Sequence, residues 1–111
     1  LVPMTQIQKS RRQMLEEFVA QHPQDAFARY GLAMECASSG DHEAALAHFR
    51  KLIETNPKYV PGFQQLGQLL ARLGQKEEAR EIFTRGIALA RAAGEQRAME
   101  EMQQALQELD S

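Results

Sequence analysis

Apolar residues recur along this chain at spacings of three and four, and runs of this kind predict six helices and no strand. The first helix is expected from about Thr5 to Gln21, with Ile7, Met14, Leu15, Phe18 and Val19 as its stripe and Arg11 as a break in it. A second, about Gln24 to Ser38, is apolar nearly all round through Phe27, Tyr30, Leu32, Met34 and Cys36, as suits an inner helix with neighbours on both sides. Ser38-Ser39-Gly40-Asp41 ends it, because Gly40 tolerates the left-handed conformation and Asp41 accepts free N–H groups of the next helix. That third helix, about His42 to Thr55, carries Ala45, Leu46, Phe49, Leu52 and Ile53 and stops at Asn56-Pro57. The fourth runs from about Tyr59 to Leu73 and the fifth from about Lys76 to Ala92, with Gly74 between them. Gly67 and Gly86 fall inside these helices at a cost of about 1 kcal/mol each, which predicts a close approach of two helix backbones at both places. After Gly94 a sixth helix, about Glu95 to Leu109, sets Ala98, Met99, Met102, Ala105, Leu106 and Leu109 against a far side of Glu95, Glu100, Glu101, Glu108 and Asp110.

The pattern also repeats. Shifted back by 34 residues, Val60 to Ala93 falls on Ala26 to Tyr59, with Leu66 on Leu32, Gly67 on Ala33, Gly74 on Gly40, Ala79 on Ala45, Phe83 on Phe49 and Ile87 on Ile53. The same shift sets Leu15 before Phe49, Phe18 before Leu52 and Pro23 before Pro57. One period without gaps marks a stacked-repeat protein, in which no unit can bury its own apolar face alone. The second copy, Phe63-x2-Leu66-Gly67-x2-Leu70…Ala79-x3-Phe83, resembles the tetratricopeptide repeat, W-x2-L-G-x2-Y…A-x3-F…P. The first copy keeps Leu32, Ala33, Ala45, Phe49 and Pro57 in register and departs at Arg29 in the Trp slot and Cys36 in the Tyr slot. The second has Arg91 where the closing Pro would stand.

The resemblance covers both full copies and reaches the ends only in part. It implies an all-α solenoid of antiparallel helix pairs: a partial repeat helix at 5–23, repeats at 26–59 and 60–93, and a capping helix at 94–111. Residues 1–4 read as a cloning remnant or disordered start, since Leu1-Val2-Pro3 precedes Met4, and a natural leader could have been removed there. Three repeats are usually wanted for stability. With two, either the end helices cap the array or a second copy does, as a homodimer.

Composition narrows the function. Apolar residues make up 43% and charged residues 25%, and the net charge is -2, which leaves no basic stripe for a nucleic-acid backbone. No apolar run approaches a membrane span and no signal peptide is visible, so a cytoplasmic setting is favoured. No phosphate loop, G-x-S-x-G or H-E-x-x-H is present, and no catalytic residue, cofactor or metal site is expected. Cys36, the only cysteine, falls on an inner helix face and reads as a buried small hydrophobe rather than a nucleophile. Among His22, His42 and His48, the last two are six apart on different faces of one helix, the wrong spacing for a ligand pair. A phosphotransfer role for His48, beside Arg50 and Lys51, is a remote alternative that requires an exposed ring.

What the resemblance implies is a non-catalytic interaction module. The first helix of each pair would line a concave groove through Phe27, Tyr30, Met34 and Ala37, then Gln64, Gln68, Ala71 and Arg72, with Ala98, Met102 and Ala105 of the last helix closing it. Met and Tyr beside Gln donors suit an amphipathic helix or extended peptide of a partner protein, and Tyr30→Ala or Met34→Lys is expected to spoil binding with little change in fold. The competing expectation is that these side chains only pack against neighbouring helices, the chain being a self-association module without foreign cargo. Family members that clamp chaperone C-terminal carboxylates use Lys and Asn on their inner helices. The matching positions here are Tyr30, Met34, Ser38, Gln64, Gln68 and Arg72, of which only Arg72 is cationic, so no such clamp is expected.

Overall fold

The structure, a computed structural model, describes residues 9–111. They form α1 (Arg11–Gln21), α2 (Ala26–Ser38), α3 (His42–Thr55), α4 (Val60–Arg72), α5 (Lys76–Ala93) and α6 (Gln96–Leu109), and among the described residues there is no strand. The largest departure from expectation is at the start. Lys9 and Ser10 are not helical, and the expected helical stretch Thr5–Gln8, with Ile7, lies outside the described residues. Ser10 and Gln13 set the boundary with a reciprocal capping box: the Gln13 N–H donates to Ser10 Oγ at 3.1 Å, and the Ser10 N–H donates to Gln13 Oε1 at 2.9 Å. α2 likewise begins at Ala26 because Asp25 accepts the Ala28 N–H at 2.9 Å.

The two full pairs turn in the same way. At Gly40 and at Gly74 φ is +83° and +81°, and the residue after each glycine donates back across the helix end, Asp41 N to Cys36 O and Gln75 N to Leu70 O, both at 2.9 Å. Three residues joining two helices force an antiparallel hairpin, so α2 lies along α3 and α4 along α5. α1 packs on α2, and α3 on α4. α6 packs on both α5 and α4, the place a first helix of a third pair would take. Each second helix brings one aromatic ring to the centre, Phe49 and Phe83, and both are buried with Phe63, Leu32, Leu52, Leu66, Leu69 and Leu70 in one continuous core.

The interior glycines are close-approach points of a different kind from that expected. No second backbone fills either notch. A Cβ on Gly67 would lie 2.5 Å from Phe83 Cε1, so the notch is a seat for that ring. A Cβ on Gly86 would lie 2.7 Å from Met102 Sδ and 3.0 Å from Phe63 Cβ, so α6 is fastened to α5 through the Met102 thioether.

Four ion pairs tie helices of different pairs together on the surface: Arg11 to Glu35, Arg12 to Asp41, Arg50 to Glu78 through both carboxylate oxygens, and Arg80 to Asp110. Each is solvated, so each adds little to stability. What they do is hold register between α1 and both α2 and α3, between α3 and α5, and between α5 and the end of α6.

Candidate protein-binding cleft

Two clefts open between successive first helices. One, about 130 Å³, lies between α2 and α4 and is bounded by Met34, Ala37, Phe49, Gln65, Leu69 and Arg72. The other, about 590 Å³, lies between α4 and α6 with the first residue of α5 at its rim. Gln68, Ala71 and Arg72 form one wall, Glu101, Gln104, Ala105 and Glu108 the other, and Phe83 and Leu109 lie beneath. Its volume is in the usual range of ligand pockets, about 300–1,000 Å³. Arg72 borders both clefts and joins them.

Six of the eleven residues expected to line or close a groove are therefore brought together: Met34, Ala37, Gln68, Ala71, Arg72 and Ala105. The other five have different surroundings, and Ala98, half-buried on α6, borders neither cleft. Phe27 is 78% exposed on the first turn of α2 and borders neither cleft. Tyr30 is half-buried, edge-on to Phe49 and Tyr59 with ring centroids 6.4 and 5.9 Å away, so Tyr30→Ala would disturb packing as well as any contact with a partner. Gln64 Nε2 donates to Glu101 Oε1 at 2.9 Å, which links α4 to α6. Met102 is fully buried and belongs to the core, not to a groove surface. Periodicity placed it on the right face of α6 but could not say that Gly86 leaves a notch there.

Lys76, Glu101, Gln104 and Glu108 were not anticipated. Lys76 opens α5, and the Gly74 turn returns it toward Arg72; an offset confined to first helices does not find it. The electrostatics of the two walls differ. Hydrogen bonds from Gln64 and then Arg97 hold Glu101 below the ordinary Glu range, so this carboxylate is ionised and already engaged. Arg72, Lys76 and Glu108 make no side-chain hydrogen bond or ion pair among the described residues, although all three border the one cleft, Arg72 on the α4 wall, Glu108 on the α6 wall and Lys76 on the α5 rim.

The residues weighed for chemistry sit elsewhere. Cys36 is buried, and desolvation raises its thiol pKa, so the reactive thiolate is disfavoured. His48 is half-buried; burial first, then the positive charges of Arg29 and Arg12, lower its pKa. Its ring is not the freely exposed one that phosphoryl transfer would require. Among the described residues no three His, Cys, Asp or Glu side chains converge in a way that could hold a metal ion.

The sequence profile of the tetratricopeptide repeat matches residues 37–108, from the end of α2 through α6. The chain belongs to the tetratricopeptide-repeat family. It is 33% identical over 96 residues to the TPR repeat-containing protein PA0015 of Pseudomonas aeruginosa, covering 86% of this chain and 91% of that one. It is similar to the crystal structure of the tetratricopeptide repeat domain protein from Salinibacter ruber, with a TM-score of 0.75 at 37% identity over 78% of this chain and 98% of that one. The TPR2B domain of yeast Sti1, in a complex with pHsp70, has the same fold, with a TM-score of 0.83 at 17% identity over 89% of this chain and 79% of that one. Tetratricopeptide-repeat folds in general mediate protein–protein interaction. No helix among the described residues is long and apolar enough to cross a membrane.

Proposed function

We propose that this chain is a non-catalytic adaptor that holds a segment of another protein along the first-helix side, with Arg72 at the centre of the contact. The observation that carries this reading is the pair of clefts meeting at Arg72, where apolar Met34, Ala37 and Ala71 alternate with hydrogen-bonding Gln65 and Gln68. A peptide chain needs both: side chains that exclude water and donors for its backbone. The yeast Sti1 domain, solved in a complex, supports the fold's suitability for such a task. Phe27, exposed on the same helix as Met34, is an outlying contact of the same surface.

The test is site-specific photocrosslinking in extract of the native cell, with the photoreactive residue at Ala71 and, as a control, at exposed Glu43 on α3. The Ala71 position is expected to capture a protein that the Glu43 position does not. That protein, once purified, should bind the Arg72→Glu variant about ten-fold more weakly, the difference two or three exposed polar contacts make. Equal capture at both positions, or equal affinity of the variant, sinks the proposal.

A second reading is favoured by one observation. On α1, Met14 is 55% and Phe18 44% exposed, although the residue matching Phe18 at the 34-residue offset, Leu52, is fully buried. A second copy laid on α1 would cover this strip and make the chain a homodimer. Light scattering across a dilution series, with Phe18→Glu beside the wild type, decides it: a concentration-independent monomer rules the dimer out.

A further inference from the structure

We infer that the α4–α6 cleft selects a partner segment of mixed charge: an apolar side chain flanked by an acidic residue on one side and a basic residue on the other. This inference rests on the adaptor reading and adds the chemistry of the partner to it.

The argument is charge complementarity across a shared floor. Arg72 on the α4 wall and Lys76 on the α5 rim have no anionic partner among the described residues. Glu108 stands on the α6 wall and has no cationic partner there. Of the other charges of this half of the molecule, Arg80 pairs with Glu77 and Asp110, Arg97 with Glu101 and Arg50 with Glu78, while Glu81, Arg85, Arg91, Glu95 and Glu100 line neither this cleft nor its neighbour. The two walls do not neutralise each other across the cleft, and between them lie Ala71, Ala105 and Leu109, which offer contact but no hydrogen bonds from their side chains. A uniformly acidic segment would meet Glu108 with like charge, and a uniformly basic one would meet Arg72 and Lys76. Either loses on one wall what it gains on the other, and like-charge juxtaposition of this sort is how an interface rejects wrong partners. A segment with opposite charges on its two sides gains on both. Glu101 does not change the balance, because Gln64 and Arg97 already occupy its oxygens.

The experiment uses five synthetic twelve-residue peptides with the same central pair of leucines. Their flanks are Glu then Lys, Lys then Glu, all Glu, all Lys, or all Gln; the two mixed orders cover both chain directions. Each is titrated into the protein by fluorescence anisotropy and followed by 15N–1H correlation spectra at Ala71 and Ala105. One mixed peptide is expected to bind about five-fold tighter than every uniform peptide and to shift both amides. Arg72→Glu/Lys76→Glu, at two exposed positions, should erase that preference and favour the all-Lys peptide, with an unchanged melting temperature as the control for folding. If a uniform or uncharged peptide binds as tightly while both amides shift, the charge inference is wrong and the adaptor reading survives. If no peptide shifts either amide, both fall.

Discussion

The Phe83 ring fills the space that a side chain on Gly67 would need, with Cε1 2.5 Å from the position of an added Cβ. This contact sets how closely α4 and α5 lie. Phe83 is fully buried, so shifting its ring disturbs its core neighbours. Gly67→Ala gains about 1 kcal/mol of helix propensity but overpacks the pair, which costs about 1–3 kcal/mol or more in a tight core. The variant is expected to unfold at lower urea than the wild type. Phe83→Leu should recover part of the loss in a double-mutant cycle, since the two positions share one contact. A Gly67→Ala variant as stable as the wild type would mean that the ring is not held there.

Met102 seats α6 on α5 as Phe83 seats α5 on α4. Its sulfur lies 2.7 Å from where a Gly86 Cβ would be. Met102→Ala removes a fully buried side chain, a change that costs about 2–5 kcal/mol in most cores. Because α6 packs mainly on α5 and α4, the cost is expected to appear as local opening. Hydrogen exchange should quicken over residues 96–109 and remain slow in α2 and α3. Uniform acceleration throughout would show instead that α6 folds as one unit with the rest.

Arg29 takes the slot that Phe63 fills in the next repeat. It is 9% exposed, its Nε has no partner, and its best contact is the Pro23 carbonyl at 3.4 Å. A buried donor without an acceptor costs about 1–3 kcal/mol, and Phe would fill the slot without that cost. Arg29→Phe is expected to raise the urea midpoint by an amount equivalent to about 1 kcal/mol. It should also raise the pKa of His48, which the Arg29 charge helps to depress. A lower midpoint with an unchanged His48 titration would contradict the account of both residues.

His48 gives the protein an acid-side weakness. Its folded pKa is lowered, by burial first and then by Arg29 and Arg12. Between that value and the unfolded value near 6.5, the unfolded chain binds more protons, so stability rises with pH. The contribution is present above about pH 6.5 and declines below it. Urea midpoints at pH 7.5 and 5.5 should therefore differ more for the wild type than for His48→Gln. Equal differences would locate the acid sensitivity elsewhere.

Much of this was legible from residue order, and the misses have physical causes. Five expected boundaries moved by only a residue or two, because the cap at Asp25 and the Gly40, Gly74 and Gly94 turns are local chemistry. The α1 boundary was missed although Ser10-x-x-Gln13 was there to be seen, since the apolar stripe continues upstream through Ile7 and periodicity outweighed the cap. The family followed from a repeat of period 34, which needs no coordinates.

Periodicity along one helix states which of its faces is apolar, and a fixed offset states which positions are equivalent. From these two the sequence by itself determined the helix pairs, their turns, their stacking and most of the core. It could not determine which neighbour each face meets. Met102 went into the core, Gln64 tied itself to Glu101, and Lys76 came round to stand beside Arg72. Those outcomes depend on the distance and tilt between helices far apart in sequence. Both are set by how side chains such as Phe83 and Met102 seat in notches left by Gly67 and Gly86, and only the packed structure holds that information.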